Sequence, residues 1–413
     1  MGTQKTFQIH TFGCKLNFSE SSEIARRLVE GGLCVATKHP DYIIVNSCAV
    51  TATAEKKGRN DVARIHRENP ESEIVVVGCH SSLRPEEIEK WNGVVKVFGN
   101  RDKMSVVDYI LGRELQPAPR FFSSYSSNDR TRSFLKIQDG CDYHCAYCTV
   151  ADARGESRSD TISHVLENIE KIHAAGINEV ILTGVNLGDF GKGTSENFYK
   201  LLQAIDNQNL IHRFRISSIE PHLLTDNIID LVASSQTIMP HFHIPLQSGC
   251  EKILKMMGRR YSAEFFAKKI LTVKEKIPDV CIALDVITGF PSESDSDFEE
   301  SYNLIDSLPI SYLHVFTYSR RPGTPAATME GQIPEPVKRE RTDRLLELSE
   351  KKKRIFYSQH LGEARPVLWE SDKKNGLMFG FTDNYIKVKK SYDIESVNKI
   401  YNFTIKEDNI CLS

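Results

Sequence analysis

The sequence predicts an α/β protein in three successive parts: an amino-terminal parallel α/β sheet domain over residues 1–120, an incomplete (β/α)6 barrel over 134–345 and a small β-barrel over 346–413. Residues 121–133 join the first two. Three observations predict this. Apolar strands alternate with amphipathic helices through the first part, as in a parallel sheet covered on both faces. Six strand–helix repeats follow at spacings of roughly thirty to forty-five residues, the rhythm of a βα barrel. After a long helix, short strands parted by turns at Asn375-Gly376 and Asp383-Asn384 replace the repeats.

At 413 residues the chain is too long for one core. Its 40% hydrophobic and 26% charged composition is that of an ordinary globular protein. No run of eighteen apolar residues occurs, and residues 1–10 lack an apolar signal core, so a cytoplasmic location is expected. A formal net charge of −2 gives no global argument for nucleic acid, and such a partner must be met by local basic patches. Ten cysteines in such a chain point to metal or redox chemistry rather than disulfides.

In chain order, residues 7–12 read as a strand ending at Gly13-Cys14, and 19–31 as a helix with Ser19 as N-cap and Gly31 as stop. Residues 42–46 form a second strand, ending at Ser47-Cys48. A helix at 51–68 follows, displaying Lys56, Lys57, Arg59, Arg64 and Arg67. A third strand at 73–77 ends at Gly78-Cys79, and a fourth βα unit runs through 94–98 and 102–111. Ligands of parallel sheets bind beyond the carboxyl ends of the strands. Cys14, Cys48 and Cys79 all stand there, about one βα repeat apart. One such cysteine would be a small buried residue; three in register read as ligands of one iron–sulfur cluster with an open iron.

Residues 121–133 are Ser-rich and aperiodic, an interdomain connection. The strand at 134–138 leads into Cys141-Asp142-Tyr143-His144-Cys145-Ala146-Tyr147-Cys148. This C-x3-C-x2-C spacing leaves no room for a fourth local ligand, so a metal group bound here keeps one position open. A closed structural zinc site would need a fourth Cys or His. Further strands are expected at 179–185, 213–218, 242–246, 281–288 and 312–318, and helices at 163–175, 198–205 and 265–276. Cys34, Cys250, Cys281 and Cys411 lack partner spacing and read as core or incidental thiols, and His241 and His243 as strand residues. Residues 336–359 read as a basic helix with a solvated face. Five short strands follow, at 364–371, 377–382, 385–390, 399–403 and 409–412. With Lys387, Lys389 and Lys390 beside Tyr385 and Tyr392, they suit a nucleic-acid-binding barrel.

The cysteine loop after the first barrel strand, with Tyr147 before its last cysteine, resembles the radical S-adenosylmethionine superfamily. The resemblance implies a 4Fe–4S cluster on Cys141, Cys145 and Cys148. S-adenosylmethionine chelates its free iron and is cleaved to a 5′-deoxyadenosyl radical. The motifs Gly13-Cys14-Lys15-Leu16-Asn17, Asn46-Ser47-Cys48, Gly78-Cys79, Gln138-Asp139-Gly140-Cys141, Ala153-Arg154-Gly155-Glu156-Ser157-Arg158-Ser159, Leu182-Thr183-Gly184-Val185-Asn186, Arg215-Ile216-Ser217-Ser218-Ile219-Glu220-Pro221 and His243-Ile244-Pro245-Leu246-Gln247-Ser248-Gly249 resemble the methylthiotransferase family. They span the chain in order, departing at Val150-Ala151-Asp152, where the family often carries Ile-Pro. On this resemblance the Cys14/Cys48/Cys79 cluster holds the sulfur, and two S-adenosylmethionine molecules serve as methyl donor and radical source. The carboxyl-terminal barrel is then the RNA-binding domain called TRAM. The implied partners are a tRNA anticodon stem-loop and an electron donor such as flavodoxin or ferredoxin, with no membrane or DNA.

Within that frame, Thr183 and Gly184 are candidates to approach the cofactor's amino group. Ser217, Glu220 and Gln247 are candidates to face its ribose and methionyl portions, with capping of the following helices as the alternative. Asp285 and Gly289-Phe290-Pro291 are placed to shape the adenine site. The stretches 11–17 and 138–142 most resemble the branch acting on threonylcarbamoyladenosine at position 37 of tRNA. That substrate's carboxylate calls for a cation: Arg154, Arg158 or a basic residue of the amino-terminal helix. The same chemistry on isopentenyladenosine in tRNA or on an aspartate of a small-subunit ribosomal protein is the alternative substrate. A non-catalytic iron–sulfur RNA-binding sensor and a plain zinc scaffold are the alternative classes.

Overall fold

A computed structural model describes residues 4–49, 52–126 and 131–412. Thr51 of the expected second helix and Ser127, Asn128 and Asp129 of the expected linker lie outside them.

The amino-terminal unit runs β1 (Thr6–Thr11), α1 (Lys15–Glu30), β2 (Cys34–Val35), β3 (Tyr42–Ser47), α2 (Ala52–Glu68), β4 (Glu73–Gly78), α3 (Cys79–Leu83), α4 (Pro85–Ile88), β5 (Val94–Phe98) and α5 (Ser105–Ile110). The sheet is wholly parallel, in the order β2-β1-β3-β4-β5. Because side chains alternate along a strand, β3 and β4 serve two cores. Ile44, Val75 and Val77 pack with Ile24 and Leu28 of α1, while Ile43, Val45, Ile74 and Val76 pack with Val62 and Ile65 of α2. One expectation is corrected. Helix α1 starts at Lys15 with Cys14 as N-cap, not at Ser19, which lies inside the helix and donates to the Leu16 carbonyl. Asn17, Ser19, Glu20 and Ser21 look like solvent residues in sequence but are buried, the first three bonding to the next unit at Arg154, Ser124 and Lys136. Of the thiols read as core or incidental, Cys34 is the incidental kind, exposed on the edge strand β2.

The second unit comprises β6 (Ser124–Tyr125), β7 (Ser133–Lys136), β8 (Gln138–Asp139), α6 (Val150–Arg154), β9 (Arg158–Ser159), α7 (Ile162–Ala174), β10 (Glu179–Thr183), α8 (Phe198–Gln208), β11 (Arg213–Ile216) and α9 (Asp226–Ser234). It continues with β12 (His241–Gln247), α10 (Glu251–Met257), α11 (Ala263–Lys276), β13 (Cys281–Thr288), α12 (Asp295–Ser307), β14 (Tyr312–Thr317), α13 (Pro325–Thr328) and α14 (Glu335–Ser358). Six parallel strands, β7-β10-β11 and β12-β13-β14, form the open barrel. Single bridges from Phe214 to Ile238 and from Ser218 to His243 join the halves. The expected linker contains structure: β6 pairs antiparallel with β7, and Phe122 is buried. Helix α1 covers the β7 edge and α14 the β14 edge. The face of α14 is correspondingly not all solvated, for Lys338, Arg341 and Lys352 are buried. Arg341 reaches Glu293 and Asp295, each at 2.7 Å.

The last unit is an antiparallel sheet of β15 (Ala364–Lys374), β16 (Leu377–Thr382), β17 (Lys387–Ser391) and β18 (Ile400–Thr404), ordered β17-β16-β15-β18. Residues 409–412 contribute one bridge, Ile410 to Val388, rather than a fifth strand. The sheet closes the barrel mouth at the strand starts. Arg213 donates to the carbonyls of Phe381 and Pro366, Arg215 to those of Thr382 and Asp383, and Tyr385 packs on His241 with ring centroids 4.4 Å apart. The opposite mouth, at the strand carboxyl ends, is left for the site.

Candidate functional site

The loop after β7 is set by backbone. Gly140 has φ +71°, and a Cβ there would lie 2.0 Å from the Glu156 carbonyl oxygen, so only glycine fits before Cys141. Ala146 donates to the Met257 carbonyl and accepts from the Ala326 amide, anchoring the loop to the ends of α10 and α13. Gln138 locks its base: its amide donates to the carbonyls of Asp139 and Gly140, and its oxygen accepts from the amides of Val185 and Asn186. Cys141, Cys145 and Cys148 line a cavity of about 340 Å³ at the barrel's carboxyl-terminal mouth. Burial pushes the Cys141 thiol up to about 11 and the Cys148 thiol up to about 12. The amides of Tyr143 and Val150 lie 3.4 Å from the sulfurs of Cys141 and Cys148, and Arg259 Nη1 lies 3.2 Å from that of Cys145. Each sulfur therefore faces a donor, the environment of a metal-bound thiolate.

The second triad leaves the sheet at one level. Thr11 pairs with Asn46 and Asn46 with Val77, so Cys14, Cys48 and Cys79 follow three adjacent strand ends. Cys14 caps α1 and Cys79 opens α3. Gly13, at φ +99°, has no space for a side chain, since a Cβ would meet Cys48 Cβ and Sγ at 2.8 Å. Among the described residues, neither triad brings all three sulfurs within 4.8 Å of one another. Ligands of one tetrahedral zinc sit about 3.8 Å apart at a Zn–S bond of about 2.3 Å. Neither triad is gathered as the ligands of one zinc would be, and thiolates are the donors that polynuclear clusters take.

The two triads share a seam. Helix α3, which Cys79 opens, packs on α6, which follows Cys148. Beside them lies a buried ionic lattice. Arg154 donates to Asp139 at 2.9 Å, Glu20 at 3.1 Å and Asn17 at 2.8 Å. Lys136 pairs with Glu20 and Asp139, Lys103 with Glu20, and Arg158 with Asp139. Burial works against the charge of Arg154, but Glu20, Cys79 and Asp139 hold it firmly protonated. Burial likewise opposes ionisation of Glu20, yet Arg154, Lys103 and Lys136 keep its carboxyl well below the usual range. Four cations (Lys103, Lys136, Arg154, Arg158) face two carboxylates (Glu20, Asp139), leaving two positive charges in surplus. Cys79 and Cys14 also favour the charge of Arg154. A three-thiolate cluster is an anionic group that suits this surplus.

The candidates sort accordingly. Glu220, Gln247 and Asp285 line the cavity with the three cysteines. Thr183 does not; it is buried and its hydroxyl donates to the Ile181 carbonyl. Gly184 packs against Leu187 and Gln138, and Val185 and Asn186 reach the cavity in its place. Ser217 is buried while its neighbour Ser218 lines the wall. Arg154 is 2% exposed with both terminal nitrogens bound inside the protein, and Arg158 is bound to Asp139 and two carbonyls, so neither is offered to an incoming carboxylate. Phe290 is buried behind Tyr318, which lines the cavity, and does not reach the cavity itself. Two basic residues of the cavity escaped the sequence reading. Arg259, which bonds Cys145, Glu220 and Tyr261, follows a short helix and carries no spacing signal. Arg321 stands four residues after β14, where the strand-end rule points.

Residues 135–305 match the radical SAM superfamily and residues 6–99 the uncharacterized protein family UPF0004. The threonylcarbamoyladenosine tRNA methylthiotransferase MtaB of Bacillus subtilis is 37% identical over 96% of this chain and 92% of its own length. The protein of that name from Thermotoga maritima is 36% identical over 93% and 91%. A tRNA-2-methylthio-N6-dimethylallyladenosine synthase of Staphylococcus aureus is 30% identical over 98% and 84%. Among solved structures, the radical S-adenosylmethionine methyltransferase TsrM of Kitasatospora setae, with cobalamin and a [4Fe-4S] cluster, superposes with a TM-score of 0.59 at 14% identity, covering 79% of this chain and 77% of that one. That likeness is one of fold.

Proposed function

The chain belongs to the radical S-adenosylmethionine methylthiotransferases, and on that premise we propose that it methylthiolates C2 of N6-threonylcarbamoyladenosine at position 37 of tRNA. The observation that carries the reading is the pair of cysteine triads beside one seam, joined where α3 packs on α6, with a cavity of about 340 Å³ at the loop triad. The relatives at 36–37% identity favour the threonylcarbamoyl substrate over the dimethylallyl one, named for relatives at 30%.

On this reading Cys141, Cys145 and Cys148 hold the 4Fe–4S cluster with S-adenosylmethionine, and Cys14, Cys48 and Cys79 hold the second cluster with the sulfur to be transferred. When bound, these groups supply radical generation and sulfur transfer. The chain's own residues bind, orient and exclude water. Arg259 steadies Cys145 and Glu220, and Gln247 and Asp285 offer polar contacts in the cavity. The Arg154 lattice fixes α1 relative to the cysteine loop.

The carboxyl-terminal sheet supports RNA binding in the manner of a TRAM domain. Lys387 lies over Phe379 and Lys373 over Tyr392, each 4.9 Å from the ring centre, a pairing of cations and aromatic faces that suits bases and phosphates. The anticodon stem-loop is the part of tRNA that carries position 37, and a flavodoxin or ferredoxin is the fitting electron donor. Among the described residues no helix is long and apolar enough to cross a membrane, and the cytoplasm is where we place the enzyme. Mass spectrometry of tRNA nucleosides from cells with and without the gene tests the assignment. Loss of the 2-methylthio form of threonylcarbamoyladenosine alone is expected; loss of a different nucleoside, or of none, overturns it.

A further inference from the structure

Besides Arg259, Arg321 is the one basic side chain lining the cavity of the cysteine loop among the described residues. All three sets of Arg259 donors are engaged, on Tyr261, Cys145 and Glu220. Arg321 differs. It is 4% exposed, yet only Nη2 has a partner, Glu55 of α2. Nε and Nη1 are buried with none. A buried charged donor without an acceptor is costly, so such groups persist where a ligand completes them. The position narrows the ligand. Glu55 lies 4.0 Å from His80, the residue after Cys79, so Arg321 stands on the seam between the cavity and the second triad. A substrate must pass there to meet both. Glu220 and Asp285, the acidic residues of the cavity, are paired with Arg259 and His243, and neither is bonded to Arg321.

We propose that Arg321 is a substrate-binding residue whose two unpartnered N–H groups take an oxyanion of the tRNA. That oxyanion is either the carboxylate of the threonylcarbamoyl group or a phosphate next to the modified nucleotide. The proposal rests on the functional reading above and names the cation that Arg154 and Arg158, bound within the protein, do not provide.

The test uses the holoenzyme and a fluorescent anticodon stem-loop carrying threonylcarbamoyladenosine, or its methyl ester, under anaerobic conditions. Arg321→Gln binds the acid stem-loop about 10- to 100-fold more weakly, the scale of lost charged hydrogen bonds, while its S-adenosylmethionine dissociation constant stays at the wild-type value. If the carboxylate is the ligand, wild type prefers the acid to the ester and Arg321→Gln no longer distinguishes them. If a phosphate is the ligand, the variant loses equally on both. Arg321→Lys, which keeps the charge, recovers part of the affinity, and it stands in should Arg321→Gln fail to retain iron. Unchanged stem-loop binding, or a loss confined to S-adenosylmethionine, overturns the proposal. So does an equal defect in Glu55→Gln, since Arg321 would then be only a strut to α2. Conversion of the stem-loop by the wild-type enzyme keeps the functional reading standing whichever result Arg321 gives.

Discussion

Removing the guanidinium of Arg154 leaves Glu20 and Asp139 short of a buried partner and Asn17 without a donor. Breaking a buried ion pair from one side costs about 3–5 kcal/mol, so Arg154→Met unfolds at markedly lower urea, and Arg154→Lys recovers only part, one ammonium being unable to span three acceptors. The lattice also sets an acid limit. Glu20 and Asp139 keep their carboxyls below the ordinary range through their cationic partners, against the burial that opposes them. As pH falls, the unfolded chain takes up protons first. The stabilisation is therefore complete above about pH 5 and lost progressively below about pH 4. Glu20→Gln, compared with wild type in denaturant melts from pH 7 to 3, shows a shallower loss; a parallel slope counts against an ionised Glu20. The placement of the six cysteines, three after strand ends and three in the cavity loop, was legible at this scale because spacing and strand ends are properties of sequence. The role of Arg154 was not, since Glu20 and Asn17 lie 134 and 137 positions away. Arg259 sits 114 positions from Cys145 for the same reason.

Among the elements, those with an apolar period were readable from sequence; β13 spans Cys281–Thr288 as expected. Those whose buried face is polar were not. Helix α1 buries Asn17, Ser19, Glu20 and Ser21 in its first turns, which erases the 3.6-residue pattern there. Strand β6 is two residues long and exists only because β7 offers it an edge. The turns before the ligands are the sensitive points. Gly140→Ala places a methyl against the Glu156 carbonyl at a left-handed φ. After anaerobic reconstitution its iron content falls to about half that of wild type, one cluster of two being lost. Gly176→Ala, also at positive φ but with open space around its Cβ position, retains full iron. Equal iron in both variants would remove the steric argument.

At the level of the whole molecule, the three expected units are present, but their boundaries are closed by contacts that no local pattern announces. The carboxyl-terminal sheet shares a core with the barrel: Cys281 and Tyr312, on the strand starts, pack with Trp369, Val388 and Ile386. A chain ending at 358 therefore loses more than the RNA affinity proposed for this sheet. It opens the barrel mouth and strips Arg213 and Arg215 of their carbonyl acceptors. We expect it to be recovered largely insoluble, and its soluble fraction to melt well below the full chain. A truncated chain as stable as wild type, merely weaker for tRNA, would show the sheet to be an appendage.

That closure bears on inheritance. Arg213 and Arg215 address main-chain carbonyls, which every sequence provides, so their hydrogen bonds place little demand on the identities of Pro366, Phe381, Thr382 and Asp383. The stacking of Tyr385 on His241 does demand a matched pair. A chimaera that exchanges the carboxyl-terminal sheet among relatives therefore keeps the arginine contacts without retailoring, but must rematch Tyr385 to His241 and the shared core of Cys281, Tyr312, Trp369, Ile386 and Val388.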